Sequence, residues 1–152
     1  MDHEAERLIR LLDLAPHPEG GWYAETWRAP SDARPASTAI HFLLCEGERS
    51  HWHRVDADEI WCHHSGAPLE LRIDHDGSQR REVLGSDVSG GEQPQAVVPA
   101  GQWQAAQSLG AWSLMTCVVA PGFSFDGFEL APDGWEPGGH REGASSPIAP
   151  DS

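Results

Sequence analysis

Residues 50–66, SHWHRVDADEIWCHHSG, hold four histidines, two aspartates, one glutamate and two tryptophans, and end on a glycine. The order is His51-x-His53, five residues to Glu59, then six more to Gly66. On a β-strand, side chains at i and i+2 share a face, so His51 and His53 are expected to project together. A carboxylate arriving on the next strand then completes a three-ligand set for a transition metal. The competing reading is a histidine-rich edge strand that faces solvent.

Alternation assigns the rest of this stretch. With Glu59 inward, Trp61 and His63 are inward too, and Ile60, Cys62 and His64 point away. A one-residue slip after His53 makes Asp58 the inward carboxylate instead. An inward set of Glu59, Trp61, His63, His51 and His53 is a polar lining. An unpaired buried polar group costs about 1–3 kcal/mol, so such a set is expected to be satisfied by metal, water or ligand.

The remaining chain fits one β domain. At 152 residues it is long enough for one real core. It carries 24 Asp plus Glu against 10 Lys plus Arg, a formal charge of −14, which repels phosphate backbones and anionic membranes. No nucleic-acid or membrane partner is expected. No basic n-region precedes an apolar run and no apolar stretch reaches about 18 residues, so neither a signal peptide nor a membrane span is read. Cys45, Cys62 and Cys117 are an odd, widely spaced set without a CxxC, which suits reduced buried thiols and a cytoplasmic location.

Leu8, Ile9, Leu11 and Leu12 form a helical stripe over Glu4 to Leu14, which Pro16 and Pro18 terminate. Beyond them the chain becomes eight or nine β-forming runs, from GGWYAETWR to FSFDGFEL, separated by turns such as Asp76-Gly77 and Pro121-Gly122. That spacing predicts an all-β barrel or jelly roll behind an N-terminal helix. Residues 1–133 read as a single domain, and the Gly-, Pro- and Ser-rich residues 134–152 as a disordered tail.

His17-Pro-Glu-Gly-Gly-Trp-Tyr23 reads as a tight turn into the first strand, with two glycines supplying unusual backbone angles. From there Glu19, Tyr23 and Glu25 can reach a barrel mouth, Tyr23 as a candidate catalytic acid or base and the two glutamates as ligand-binding groups. Seven tryptophans fit a stacking pocket for a ring-shaped ligand, although aromatics fill β-barrels generally.

HPEGGWYAETWR, STAIHFLL, WHRVDADEIW, LGSDVSGGEQPQAVVPAGQWQAA and CVVAPGFSFDGFEL together resemble the cupin family catalogued as domain of unknown function 985, over roughly residues 5–131. The resemblance implies a cupin double-stranded β-helix of the RmlC-like kind, usually a dimer, and no established reaction. The spacing to Gly66 in its first motif favours Glu59 over Asp58. Cupins usually carry Pro-x-Gly-x-x-His as a later motif with the last metal ligand, and here Pro99-x-Gly101-x-x-Gln104 ends on glutamine. The implied metal set is therefore His51, His53 and Glu59 with Gln104 as a weak fourth member, holding Fe, Mn, Ni or Zn loosely. His51 stands where the family usually has a small residue, and Cys62 where it commonly has histidine.

The expected function is capture of a polar, sugar- or nucleotide-like small molecule, with isomerisation, epimerisation or dehydration. His53 is the acid/base and Glu59 orients or charges it. His63, Trp61, Trp103 and Gln104 line the ligand site. The alternatives are a metal-dependent dioxygenase or isomerase on His51, His53 and Glu59, and a non-catalytic binding or sensor module.

Overall fold

The computed structural model describes residues 1–138. Helix α1 (His3–Leu11) is opened by Asp2, whose carboxylate accepts the amides of Glu4 and Ala5. It stops earlier than its apolar stripe, because Asp13 takes a left-handed φ of 56° and Ala15–Pro16 is drawn into a short strand. Leu14 still packs with the helix face, against Leu43 and Cys45.

The strands are β1 (Ala15–Pro16), β2 (Trp22–Arg28), β3 (Thr38–Cys45), β4 (Arg49–Val55), β5 (Asp58–Gly66), β6 (Leu69–His75), β7 (Ser78–Leu84), β8 (Gln95–Val98), β9 (Trp103–Ser108), β10 (Trp112–Ala120) and β11 (Phe128–Leu130). They form two antiparallel sheets in the orders β1-β2-β3-β10-β5-β8 and β11-β4-β9-β6-β7. The expected all-β cupin barrel behind an N-terminal helix is the fold observed. Of the FSFDGFEL run, only Phe128–Leu130 is strand, since Phe125–Gly127 forms a 3-10 turn.

Inward side chains of both sheets fill one end of the barrel with Trp61, Leu69, Leu71, Leu84 and Met115. Phe42 and Cys117 belong both to this packed layer and to the wall of a cavity beyond it, so they separate core from cavity. Trp135, placed in the tail by composition, packs on Trp103 with ring centroids 4.5 Å apart. The rest of that tail, residues 139–152, lies outside the described residues.

A β-bulge in β4 decides the site. Ser50 pairs with Ala106 and His53 with Gln104, so His51 and Trp52 together oppose Ala105. The extra residue reverses the alternation, and Ser50 and His53, three apart, both point into the barrel and are buried. Trp52 faces outward onto Trp103 and Ala131.

Candidate active site

The cavity has a volume of about 810 Å³. At its inner end lie His17, Glu19, His53 and Glu59, and Tyr23, Glu25, Arg28 and Arg34 also line it. Glu19 reaches this position because the turn at 17–21 docks onto β4. The Glu19 carbonyl accepts the His51 amide at 2.8 Å, and the Gly20 amide donates to the His17 carbonyl at 2.9 Å. Gly20 sits at φ 112°, where a Cβ would lie 2.1 Å from the Arg49 carbonyl oxygen. Only glycine fits there.

The hydrogen bonds fix the tautomers. Nδ1 of His53 is 2.7 Å from the His51 carbonyl, which only accepts, so Nδ1 carries the proton. Nε2 then presents its lone pair to Glu19 Oε1 at 3.3 Å. His17 Nδ1 accepts the Glu19 amide at 3.1 Å, leaving its proton on Nε2. Ser50 donates its hydroxyl to the other oxygen of Glu19.

Burial shifts all four groups toward their neutral forms. It pushes the Glu19 carboxyl up to about 8, against the smaller pull of the Ser50 hydroxyl. It raises Glu59 to about 7, with nearby His53 partly offsetting and Glu19 adding to the rise. It lowers His17 to about 4, helped by His53. His53 is also lowered by burial, with Glu59 and the His51 carbonyl pulling the other way. The cluster thus sets a carboxylic acid against an imidazole lone pair, with a second carboxyl that titrates near neutrality.

Behind Glu59 stands a fixed support. Trp61 Nε1 can only donate, and it donates to Gln104 Oε1 at 2.8 Å. The Gln104 amide nitrogen is thereby aimed at Glu59 Oε1, 2.9 Å away. Trp61 and Gln104 are both buried and neither lines the cavity.

Several expected positions therefore change. His51 leaves the cluster because of the bulge, and its Nε2 bonds the Pro132 carbonyl at 2.9 Å. Gln104 turns its amide nitrogen, not its carbonyl, toward Glu59, because the carbonyl is held by Trp61. The set His51, His53, Glu59 and Gln104 does not converge, and among the described residues no three His, Cys, Asp or Glu side chains form a metal-binding group. The residues named from the motif do not fit a metal centre. Trp103 lies on the outer side of its sheet, with the Arg54 guanidinium 4.6 Å above its ring and Trp135 beside it, so it does not stack on a ligand in the barrel. His63 does not line the cavity; its Nε2 bonds the Ala67 carbonyl at 3.0 Å. Glu25 reaches the rim, paired with Arg28 at 2.9 Å. Asp58 is exposed and accepts the Ala100 amide, which leaves Glu59 as the inward carboxylate.

Sequence reasoning missed His17 and Ser50 as members of the site. His17 was readable only as part of a turn, although a histidine two residues from an acid in a glycine-rich turn is a legitimate signal. Nothing in the pattern marks Ser50 without knowledge of the bulge.

The cupin superfamily family described as DUF985 matches residues 6–131. No curated protein matches the chain. Among solved structures, a Shewanella oneidensis protein is 39% identical with a TM-score of 0.80, covering 83% of each chain. A hypothetical protein from Leishmania major is 34% identical with a TM-score of 0.78, covering 82% of this chain and 85% of its own. Oxalate decarboxylase from Bacillus subtilis shares the fold at 16% identity and a TM-score of 0.60, over 78% of this chain and 30% of that one. A family match over most of the chain, and relatives above 30% identity that cover it, make this protein a member of the DUF985 family of the cupin superfamily.

Proposed function

We propose that this cupin binds a polar organic molecule in its barrel and moves a proton on it, as an isomerase, epimerase or dehydratase does. The observation that carries this reading is the contact between the Glu19 carboxyl and His53 Nε2 at the inner end of the cavity. A neutral acid and a neutral base side by side can give a proton at one atom of a substrate and take one at another. Glu59, raised to about 7, is a second group able to exchange protons near neutrality. Tyr23, which lines the cavity with its ring edge toward His17 at 4.4 Å, is placed to orient a substrate hydroxyl or carbonyl. The acid/base partner of His53 in this reading is Glu19 rather than Glu59 alone.

The test is proton exchange. Sugars and α-hydroxy ketones incubated with the protein in D2O should take up deuterium next to the carbonyl, followed by NMR. His53→Ala and Glu19→Gln should each lower the rate at least about a hundredfold. Exchange retained by His53→Ala contradicts the acid/base role. Ligand binding with no exchange by the unaltered protein supports the binding-module reading.

We also propose a two-fold dimer through the outer face of the six-stranded sheet. Trp27, Ala39, Val118, Ile60 and Val97 form one cross-strand row on that face, without a charged residue. In the next row, His41 Nδ1 is buried with no hydrogen-bond partner among the described residues. An apolar row with an orphaned polar atom beside it favours a covering partner.

A further inference from the structure

Two guanidiniums line the cavity, and both are already held. The chain contains no lysine, so all ten of its basic residues other than histidine are arginines. Arg28 is bidentate on Glu25 at 3.0 and 2.9 Å. Arg34 is bidentate on Asp56 at 3.0 and 2.7 Å, and its Nε donates to the Gly122 carbonyl at 2.7 Å. A bidentate carboxylate balances the charge of each guanidinium and occupies one of its two donor forks, which weakens its pull on a phosphate. His17 and His53 add no cation, since burial holds both imidazoles neutral. Asp126 adds a further acid to the lining.

The outer wall is aromatic. Phe123 and Phe125 meet edge to face with centroids 4.8 Å apart, and Phe128 lies within 5.8 Å of both. The loop carrying them is pinned, with the Gly122 amide on the Pro35 carbonyl at 2.8 Å and the Phe123 amide on Thr38 Oγ1 at 2.9 Å. Phe125 keeps 54% of its surface exposed at this mouth. An exposed phenyl on a fixed wall suits contact with a flat apolar group.

Taking the cavity to be the ligand site, as in the function proposed above, we infer that it selects an uncharged molecule bearing an aromatic ring and excludes phosphorylated or sulfonated ones. The hydroxyl or carbonyl end of such a ligand faces Glu19 and His53, and the ring faces Phe123 and Phe125. A nucleotide is a poor occupant, because its phosphates meet paired arginines and free acid. Desolvating an anion without a partner is unfavourable.

A matched pair of dyes tests this. N-Phenyl-1-naphthylamine is uncharged, and 1-anilinonaphthalene-8-sulfonate has the same body with one sulfonate added. Fluorescence titration at neutral pH and low salt should give a Kd for the uncharged dye at least about tenfold below that of the sulfonate. Phe125→Ala should weaken the uncharged dye. Asp56→Asn, which releases Arg34 from its carboxylate, should narrow the gap by strengthening the sulfonate. Equal or tighter binding of the sulfonate overturns the inference, as does no binding of the uncharged dye up to its solubility. Binding of the uncharged dye that neither substitution alters places it elsewhere and also overturns the inference. The acid/base reading fails instead on deuterium exchange, which uses neither dye, so the two failures are separable.

Discussion

Glu19 is buried with its oxygens facing Ser50 and His53, and this ties the stability of the fold to pH. Its carboxyl rises from about 4.5 in an exposed chain to about 8 in the fold, and Glu59 rises to about 7. Over that interval the folded protein holds protons that the unfolded chain has released, so stability falls as pH rises through the folded values. His17 works in the opposite direction. Lowered from 6.5 to about 4, it stays neutral while the unfolded chain takes up a proton, so its contribution is lost as pH falls through that range. The imidazoles of His17 and His53, both lowered by burial, oppose the two carboxyls below about 6.5, and above that pH the carboxyls act alone. The melting temperature should therefore drop between pH 6.5 and 9, roughly 2–4 °C for each kcal/mol lost in a domain of this size. Glu19→Gln mimics the neutral acid and keeps its hydrogen-bonding shape, so this variant should melt above the unaltered protein at pH 9 and near it at pH 6.5. Identical pH profiles for the two proteins would contradict the burial argument.

At the level of elements, the β4 bulge and the 17–21 turn act as one unit, joined through the backbone of His51. Its amide holds the Glu19 carbonyl and its carbonyl holds the His53 ring, so the backbone of one residue sets both members of the acid–base pair. Gly20→Ala should break that unit, since the added carbon meets the Arg49 carbonyl and the backbone angle disfavours any side chain. The expected loss is about 2–4 kcal/mol in chemical denaturation, together with loss of the alkaline slope assigned to Glu19. A variant as stable as its parent would show that the turn is not docked. This unit also marks the limit of what the sequence reveals. Period-two alternation found Glu59 and Trp61, because β5 keeps its register against β10 from Asp58 to His63. It failed at His51, where one extra residue reverses the parity and no side-chain pattern announces the bulge. Gln104 was recognisable as a departure from the usual histidine. Its actual role, an amide locked between Trp61 and Glu59, depends on strand pairing that no local window contains.

Over the whole molecule, the two sheets divide the barrel into a packed half and a half that remains open as the cavity. None of the helices among the described residues is long and apolar enough to cross a membrane. Against the strong negative charge of the chain, the uncharged row from Trp27 to Val97 on the outer face of the six-stranded sheet stands out, which is why a second copy is the proposed partner there. Light scattering at micromolar concentration should give twice the chain mass. Val97→Glu, at a position 46% exposed in the single chain, should halve that mass without lowering the content of folded protein. A monomer mass for the unaltered protein would remove the dimer from this account.

The account rests on two buried carboxyls, Glu19 protonated at neutral pH and Glu59 titrating near it, beside a neutral histidine. Carbon-13 NMR of protein labelled at the glutamate side-chain carboxyl reads this directly, with Glu19→Gln and Glu59→Gln supplying the two assignments. The expected result is that Glu59 titrates near 7 and Glu19 near 8, while exposed glutamates titrate in the ordinary range. Midpoints for both residues near 4.5, the value of an exposed carboxyl, would contradict the account.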